Sequence, residues 1–365
     1  MEKLSNILKQ LEILAPPSYQ ESYDNSGLLT GSPDMEIKGA VICLDSTEAV
    51  IDEAISNGCN LVIAHHPIVF SGIKKLNGKN YVERTIIKAI KNDIAIYAIH
   101  TNLDNVRHGV NKVICDKLGL KNTTILAPKS GLLKKLVTYC PEPQVEAVKT
   151  ALFAAGAGNI GNYDECSFSN SGTGTFRGNE LSNPVVGEKG IRHHESEIRI
   201  EVIFEGYLMG GILNALRASH PYEEIAFDVY SLDNQYNNIG SGMVGDLENA
   251  LSINDFLKSL KVQMKTGSIR YTSTEKNVIK RVAVCGGSGS FLLQDAIRSG
   301  ADAFVTADFK YHQFFDGEGK LMIADIGHYE SEQFTKELIY SFLNQKFTTF
   351  ALRLSELNTN PINYF

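Results

Sequence analysis

Residues 40–66 read AVICLDSTEAVIDEAISNGCNLVIAHH, and residues 282–308 read VAVCGGSGSFLLQDAIRSGADAFVTAD. Each stretch has an apolar run, a small-residue turn, a segment of helical period, a break at Asn57-Gly58 or Ser299-Gly300, and a second apolar run. That order is strand, turn, helix, strand. The strand runs, such as Val41-Ile42, Leu61-Val62-Ile63 and Val282-Ala283-Val284, are short and continuously apolar, as expected of parallel strands buried on both faces. Each copy leads on to a further apolar run, Ile94–Ile99 in the first and Leu321–Ala324 in the second. Repeated βαβ units build a mostly parallel sheet with crossover helices. Two such units predict two related α/β halves. Ligands collect beyond the carboxyl ends of such strands, so the cleft between the halves is the expected site.

Between the halves, roughly residues 129–238, the pattern changes. A turn at Pro128-Lys129-Ser130-Gly131 precedes a strand at Leu133–Cys140 and a helix at Pro143–Ala155. A Gly/Ser/Thr/Asn-rich stretch, Gly156–Gly178, holds short strands. A strand at Glu197–Phe204, a helix at Tyr207–Ala218 and a strand at Ile225–Leu232 follow. The order matches a ferredoxin-like α+β insert. The expected organisation is therefore a first α/β half at 1–128, an insert at 129–238, and a second half at 239–365 that packs on the first.

Composition narrows the functional classes. The chain has 365 residues, 43% of them hydrophobic and 21% charged, which excludes wholesale disorder and collagen-like repeats. Its net charge of −7 argues against general binding to nucleic acids or anionic membranes. No apolar run approaches the roughly 20 residues of a membrane span. The N-terminal MEKLSNILKQLEILAPP reads as an amphipathic helix stopped by Pro16-Pro17, not as a signal peptide. The six cysteines include no C-x-x-C pair, so reduced thiols in a cytoplasmic protein are expected.

Five residues able to bind metal stand near strand ends in the two halves: His65, His66, Asp104, His328 and Glu332. His65 and His66 end an apolar run. Adjacent strand residues point to opposite faces, so the two rings are expected to meet only where Pro67 breaks the pleat. His100 and Asp104 follow the next strand of the first half, and His328 and Glu332 follow a strand of the second. At i, i+4 on a helix, His328 and Glu332 share one face. Imidazoles and carboxylates suit Zn, Mn, Fe, Co or Ni. A bridging carboxylate can join two ions about 3.5–4 Å apart. One layout places His65 and Asp104 on one ion, His66 and His328 on the other, and Glu332 between them. Open positions would hold a water with its pKa lowered toward about 7. His100 is the candidate catalytic residue, as general base or as a group orienting the site. Against this stands the ordinary fate of a His-His pair, which is incidental. His193-His194, in a charged stretch of the insert, is expected to be solvated.

These residues also resemble a known family. Asp24-Asn25-Ser26-Gly27-Leu28-Leu29, the junction at His65-His66-Pro67, His100-Thr101-Asn102-Leu103-Asp104, Thr306-Ala307-Asp308 with Tyr311-His312, and Gly327-His328-Tyr329-Glu330-Ser331-Glu332 together look like the dinuclear metal-centre hexameric proteins, homologues of the type-two form of GTP cyclohydrolase I. The resemblance covers almost the whole chain and implies that the insert is PII-like. It implies that His65, His66, Asp104, His328 and Glu332 ligate two divalent metal ions per chain, and that the chain assembles as a homohexamer. It also implies hydrolysis of a nucleotide, with GTP opened at C8 as the named case. Tyr23, Ser26, Ala307 and His108 depart from the family pattern; none is a ligand, but they bear on pocket shape and hence on substrate. The alternative to an enzyme is a non-enzymatic ring protein that handles metal or regulates.

Other motifs rank lower. Cys285–Ser290 is a strand-to-helix turn able to cradle phosphate, but it lacks the third glycine of G-x-G-x-x-G and the Gly-Lys of a P-loop. Asp45 is either a group that orients a metal ligand or a helix cap with Glu48 three residues on, and the cap alone explains it. Asp308, Lys310 and His312 are either polar groups lining the cleft or a solvated loop. Asp24–Gly27 is a turn first and a pocket edge second. No G-x-S-x-G supports a serine triad.

Overall fold

The computed structural model describes residues 1–365. The chain divides into two compact units, one of residues 1–128 with 237–365, the other of residues 129–236. The architecture is mixed α/β with several sheets.

The first unit contains two large sheets. In one, the strands Gly39–Asp45, Leu61–His66 and Ala95–Ala98 lie side by side and parallel, each in register with the next. Ala351–Leu354 extends this sheet on one edge and Gly27–Thr30 on the other. These strands are apolar up to the polar residues at their carboxyl ends, and one face packs Val41, Val62 and Ile96 against Val50, Ile51 and Ala54 of the helix Glu48–Ser56. In the second sheet, Val278–Ser288, Ala303–Ala307 and Met322–Asp325 are parallel neighbours in chain order. The helix Leu4–Leu14 buries Leu4, Ile7, Leu8 and Leu11 on one face and ends before Pro16, as its pattern requires. No helix of the chain is long and apolar enough to cross a membrane.

After the strand Ala351–Leu354 the chain runs on toward the other sheet. Ser355 Oγ donates to Glu53 at 2.6 Å, Thr359 Oγ1 donates to Asp45 at 2.5 Å, and Asn360 Nδ2 donates to Glu330 at 3.0 Å.

The second unit is one four-stranded antiparallel sheet carrying two helices, Val145–Ala154 and Met209–Ser219, on one face. Leu136, Ile200, Val202, Val148 and Ile212 form its own apolar core. His193 and His194 begin a strand; His194 is exposed, as expected, whereas His193 is half-buried and bonds Glu195. The strands Lys121–Ser130 and Gln235–Ser252, which lead into and out of this unit, are neighbours in one sheet. Replacing residues 129–236 with a short linker is therefore expected to leave a cooperatively melting protein. Circular dichroism and thermal denaturation check this; a soluble but unfolded product would refute it.

Candidate metal centre

The candidate residues are delivered by strand ends and the helical turns after them. His65 and His66 close the strand Leu61–His66, Asp104 lies in the short helix Thr101–Asn105, and His328 and Glu332 open and close the helix His328–Glu332. Contrary to the expected break, the strand stays regular through His66, which remains in register opposite Asp45. The two rings leave opposite faces of an unbroken strand tip. They converge on the Glu332 carboxylate, which sits beyond that tip: His66 Nε2 is 2.9 Å from Oε2, and His65 Nε2 is 3.8 Å from Oε1.

All five candidates come together, with His100 beside them. His328 Nε2 lies 3.1 Å from Glu332 Oε2 and 3.3 Å from His66 Nε2. His65 Nε2 lies 3.7 Å from Asp104 Oδ1. Three groups of side chains could each hold a metal ion: His65 with Asp104 and Glu332, His66 with His328 and Glu332, and His65 with His66 and His100. The donor set fits this use. Donors about 2.0–2.2 Å from a tetrahedral ion stand roughly 3.3–3.6 Å apart, close to the spacings here. His65 Nε2 and Asp104 Oδ1 are buried and have no hydrogen-bond partner. Buried polar atoms are rarely left so.

Each imidazole is aimed by its other nitrogen. His65 Nδ1 bonds the Ile99 carbonyl at 2.8 Å, His66 Nδ1 bonds Asp45 at 2.7 Å, His328 Nδ1 bonds Asp308 at 2.6 Å, and His100 Nδ1 bonds Asp24 at 2.7 Å. With Nδ1 as donor, an imidazole that gives up its other proton presents the Nε2 lone pair to the pocket. Asp45 is thus no helix cap: Thr47 caps that helix, accepting from the Val50 amide, and Asp45 serves His66. Asp308 likewise serves His328, while Lys310 and His312 are exposed. Asp24 is more than a turn residue. Its carboxylate also accepts from the Thr101 amide at 3.0 Å and from the Thr101 hydroxyl. Burial pushes the Asp24 carboxyl up, but His100 and Thr101 overcome it and hold it well below the usual range. Outer partners of this kind typically change metal affinity about 10–100-fold when removed. Asp45→Asn and Asp308→Asn are each expected to weaken metal retention within that range, read by competition with a chelator; unchanged retention in both would refute the assignment.

The turn at Cys285–Ser290 has another use than phosphate. Gly287 has φ +62°, and a Cβ there would overlap the Glu332 carboxylate. Its amide is taken by Ser331 Oγ at 2.9 Å, and the Gly286 amide by Asn111 Oδ1 at 2.9 Å. Asn111 also donates to the Asp104 carbonyl, tying the first half of the chain to this turn. The turn is a seat for Glu332. Nothing in its sequence announces this, because the contact spans 45 positions. The pocket in front has a volume of about 200 Å³, and Tyr23, Phe291 and Ser288 stand at its border with the candidate residues.

The electrostatics follow from crowding. Burial and the neighbouring Glu332 raise the Asp104 carboxyl to about 7. Burial would also raise Glu332, but His328 overrides it and holds that carboxyl well below its ordinary value. Glu332, helped by Asp308, raises His328 to about 11. Burial works to lower His66, yet Asp45 and Glu332 raise it to about 9. Both imidazoles thus titrate above their unfolded value of 6.5 in the metal-free protein. Their protons stabilise that state fully below the unfolded pKa, and the contribution is lost as pH rises through about 9 and then about 11. The metal-free protein is expected to melt at lower temperature at pH 9.5 than at pH 7, with Glu332→Gln flattening the trend; differential scanning fluorimetry reads it.

A family described as Duf34/NIF3 (NGG1p interacting factor 3) matches residues 2–361. A Bacillus subtilis (strain 168) protein named GTP cyclohydrolase 1 type 2 homolog is 37% identical over 364 residues, covering 98% of this chain and 97% of its own length. A Staphylococcus aureus (strain MSSA476) protein of the same name is 34% identical over 367 residues, covering 99% of this chain and all of its own. Among solved structures, a Bacillus cereus protein related to NIF3 superposes with a TM-score of 0.87 at 36% identity, over 100% of this chain and 99% of the other. Staphylococcus aureus protein SA1388 gives a TM-score of 0.79 at 31% identity, over 100% and 99%.

Proposed function

The chain belongs to the Duf34/NIF3 family, and from that premise we propose that it holds two divalent metal ions and hydrolyses a nucleotide or similar small molecule in the manner of a GTP cyclohydrolase. The observation that carries this reading is the pair of buried, unpartnered donors, His65 Nε2 and Asp104 Oδ1, facing each other beside Glu332. In this proposal His65 and Asp104 hold one ion, His66 and His328 the other, and Glu332 lies between. When bound, the ions supply Lewis acidity and a water of lowered pKa. His100, fixed by Asp24, turns Nε2 to the pocket and takes up the proton released in the attack. Tyr23, one of the departures from the family pattern, stands at the pocket edge with Phe70 and bears on which substrate enters.

One observation favours a second reading. The pocket's 200 Å³ falls below the roughly 300–1,000 Å³ usual for small-molecule sites, which suits a protein that handles metal without turning over a nucleotide. The rest of the proposal rests on the resemblance and the sequence pattern: two α/β halves related by duplication, a PII-like insert, a homohexamer, and a cytoplasmic setting in keeping with six free cysteines. One preparation tests these readings. Protein purified without added metal is analysed for metal identity and amount, for mass by light scattering, and for release of products from a nucleotide panel. Close to two metals per chain with turnover supports the hydrolase. Exchangeable metals without turnover support the handling protein. Absence of metal after reconstitution overturns both, and a mass of one or two chains overturns the hexamer.

A further inference from the structure

The unit of residues 129–236 carries a half-open cavity of about 610 Å³ that shares no residue with the pocket above. Its floor is the sheet face turned away from the helices. The strand His193–Glu205 gives Ile198, Ile200, Val202 and Phe204 to the helix-packed core. Residues of opposite parity, Glu197 and Arg199, therefore stand on the other face. The edge strand Ser167–Phe176 sets Gly172 opposite Glu197, and a Cβ at 172 would meet nothing within 4 Å. A Cβ at Gly174 would instead overlap the Glu197 carboxylate, which occupies that space.

Glu197 is the unusual group. It is 9% exposed and forms no ion pair, whereas its neighbours on the strand do. Glu195 is paired with His193 at 2.7 Å. Glu201 is paired with Lys135 and with Arg199, each at 2.9 Å, so the Arg199 guanidinium, which lines the cavity together with Arg177, is engaged by Glu201. Beside the carboxylate the rings of Phe176 and Tyr222 stand 6.4 Å apart at 58°. Val185 and Pro184 continue the apolar wall, and the segment carrying them is tied down where the Asn183 amide donates to Glu223 at 2.7 Å. A nearly buried carboxylate without a counter-charge is costly unless a cation meets it. Aromatic faces attract organic cations. The cavity volume lies within the range of small-molecule sites.

We propose that this cavity binds a small organic cation, an amine or amidine with an apolar or aromatic body, whose N–H groups meet Glu197 and whose body lies along Phe176 and Tyr222. The test is isothermal titration of the full chain with 2-phenylethylamine and benzamidine, against neutral 2-phenylethanol and anionic benzoate. Both cations are expected to bind, with the neutral and anionic compounds weaker by roughly tenfold or more. Glu197→Gln keeps the shape and removes the charge. Gly172→Leu fills the open floor from an edge strand without strain, and is expected to leave the melting temperature unchanged. Each substitution is expected to weaken cation binding roughly tenfold or more while metal content stays at the wild-type level. No binding of either cation at millimolar concentration, equal affinity for the alcohol, or undiminished binding in either folded variant overturns the proposal. Should Glu197→Gln fail to fold, Gly172→Leu and the amine-to-alcohol comparison decide it.

Discussion

Glu332→Ala is expected to reduce the metal content of the purified protein from close to two ions per chain to well under one. Glu332 is the one carboxylate that belongs to two of the three groups able to hold an ion, and its two oxygens face different imidazoles. Its removal leaves His65 with Asp104 and His66 with His328, two donors on each side where three stood. Loss of outer partners alone costs about 10–100-fold in affinity, so loss of a shared donor should exceed that. The fold should survive. The substitution removes no backbone hydrogen bond, and the neighbouring Ser331 still holds the Gly287 amide. Elemental analysis reads the outcome, with far-ultraviolet circular dichroism to show that the chain is folded. His193→Ala serves as control, since His193 lies in the other unit and bonds Glu195. A Glu332→Ala protein that keeps two tightly held ions would rule out the shared-carboxylate arrangement.

Gly287→Ala is expected to have the second largest effect, although it changes no candidate ligand. At φ +62° an alanine pays about 1–2 kcal/mol for the left-handed backbone. Its Cβ would also overlap Glu332 Oε1, so the carboxylate must swing away from His65 and His66. We expect a fall of a few degrees in melting temperature together with loss of metal as severe as in Asp45→Asn. Gly300→Ala separates the two causes. Gly300 has φ +75° but open space around it. It should lose stability and keep its metal. Equal metal content in both variants would show that Gly287 is needed only for its backbone.

The difference between what can and cannot be read from the chain is a matter of range. The parallel strands are legible because runs such as Leu61–Ala64 are apolar without interruption, which only burial on both faces demands. The candidate metal residues are legible because histidines and acids stand just past such runs. Their supports are not. His100 and its partner Asp24 are separated by 76 positions, and His66 and Glu332 by 266. Asp45 looks like a helix cap because capping is a local rule that Thr47 satisfies equally well from two residues on. The regular strand through His66 defeats the argument from pleat alternation, since long side chains at a strand tip can reach around it. Glu197 gives no signal at all. In a strand of alternating polarity it reads as one more solvated acid until Gly172 and the segment after Gly178 are folded over it.

The closed, ion-free centre has a charge problem of its own. Five carboxylates, of Asp24, Asp45, Asp104, Asp308 and Glu332, crowd around four imidazoles drawn from residues 65 to 328. The protons on His66 and His328 are the counter-charge available at that stage. In the proposed layout they act as placeholders for the ion that His66 and His328 would share, and loading that ion would evict both, so maturation of the protein should be detectable as acid released into an unbuffered solution.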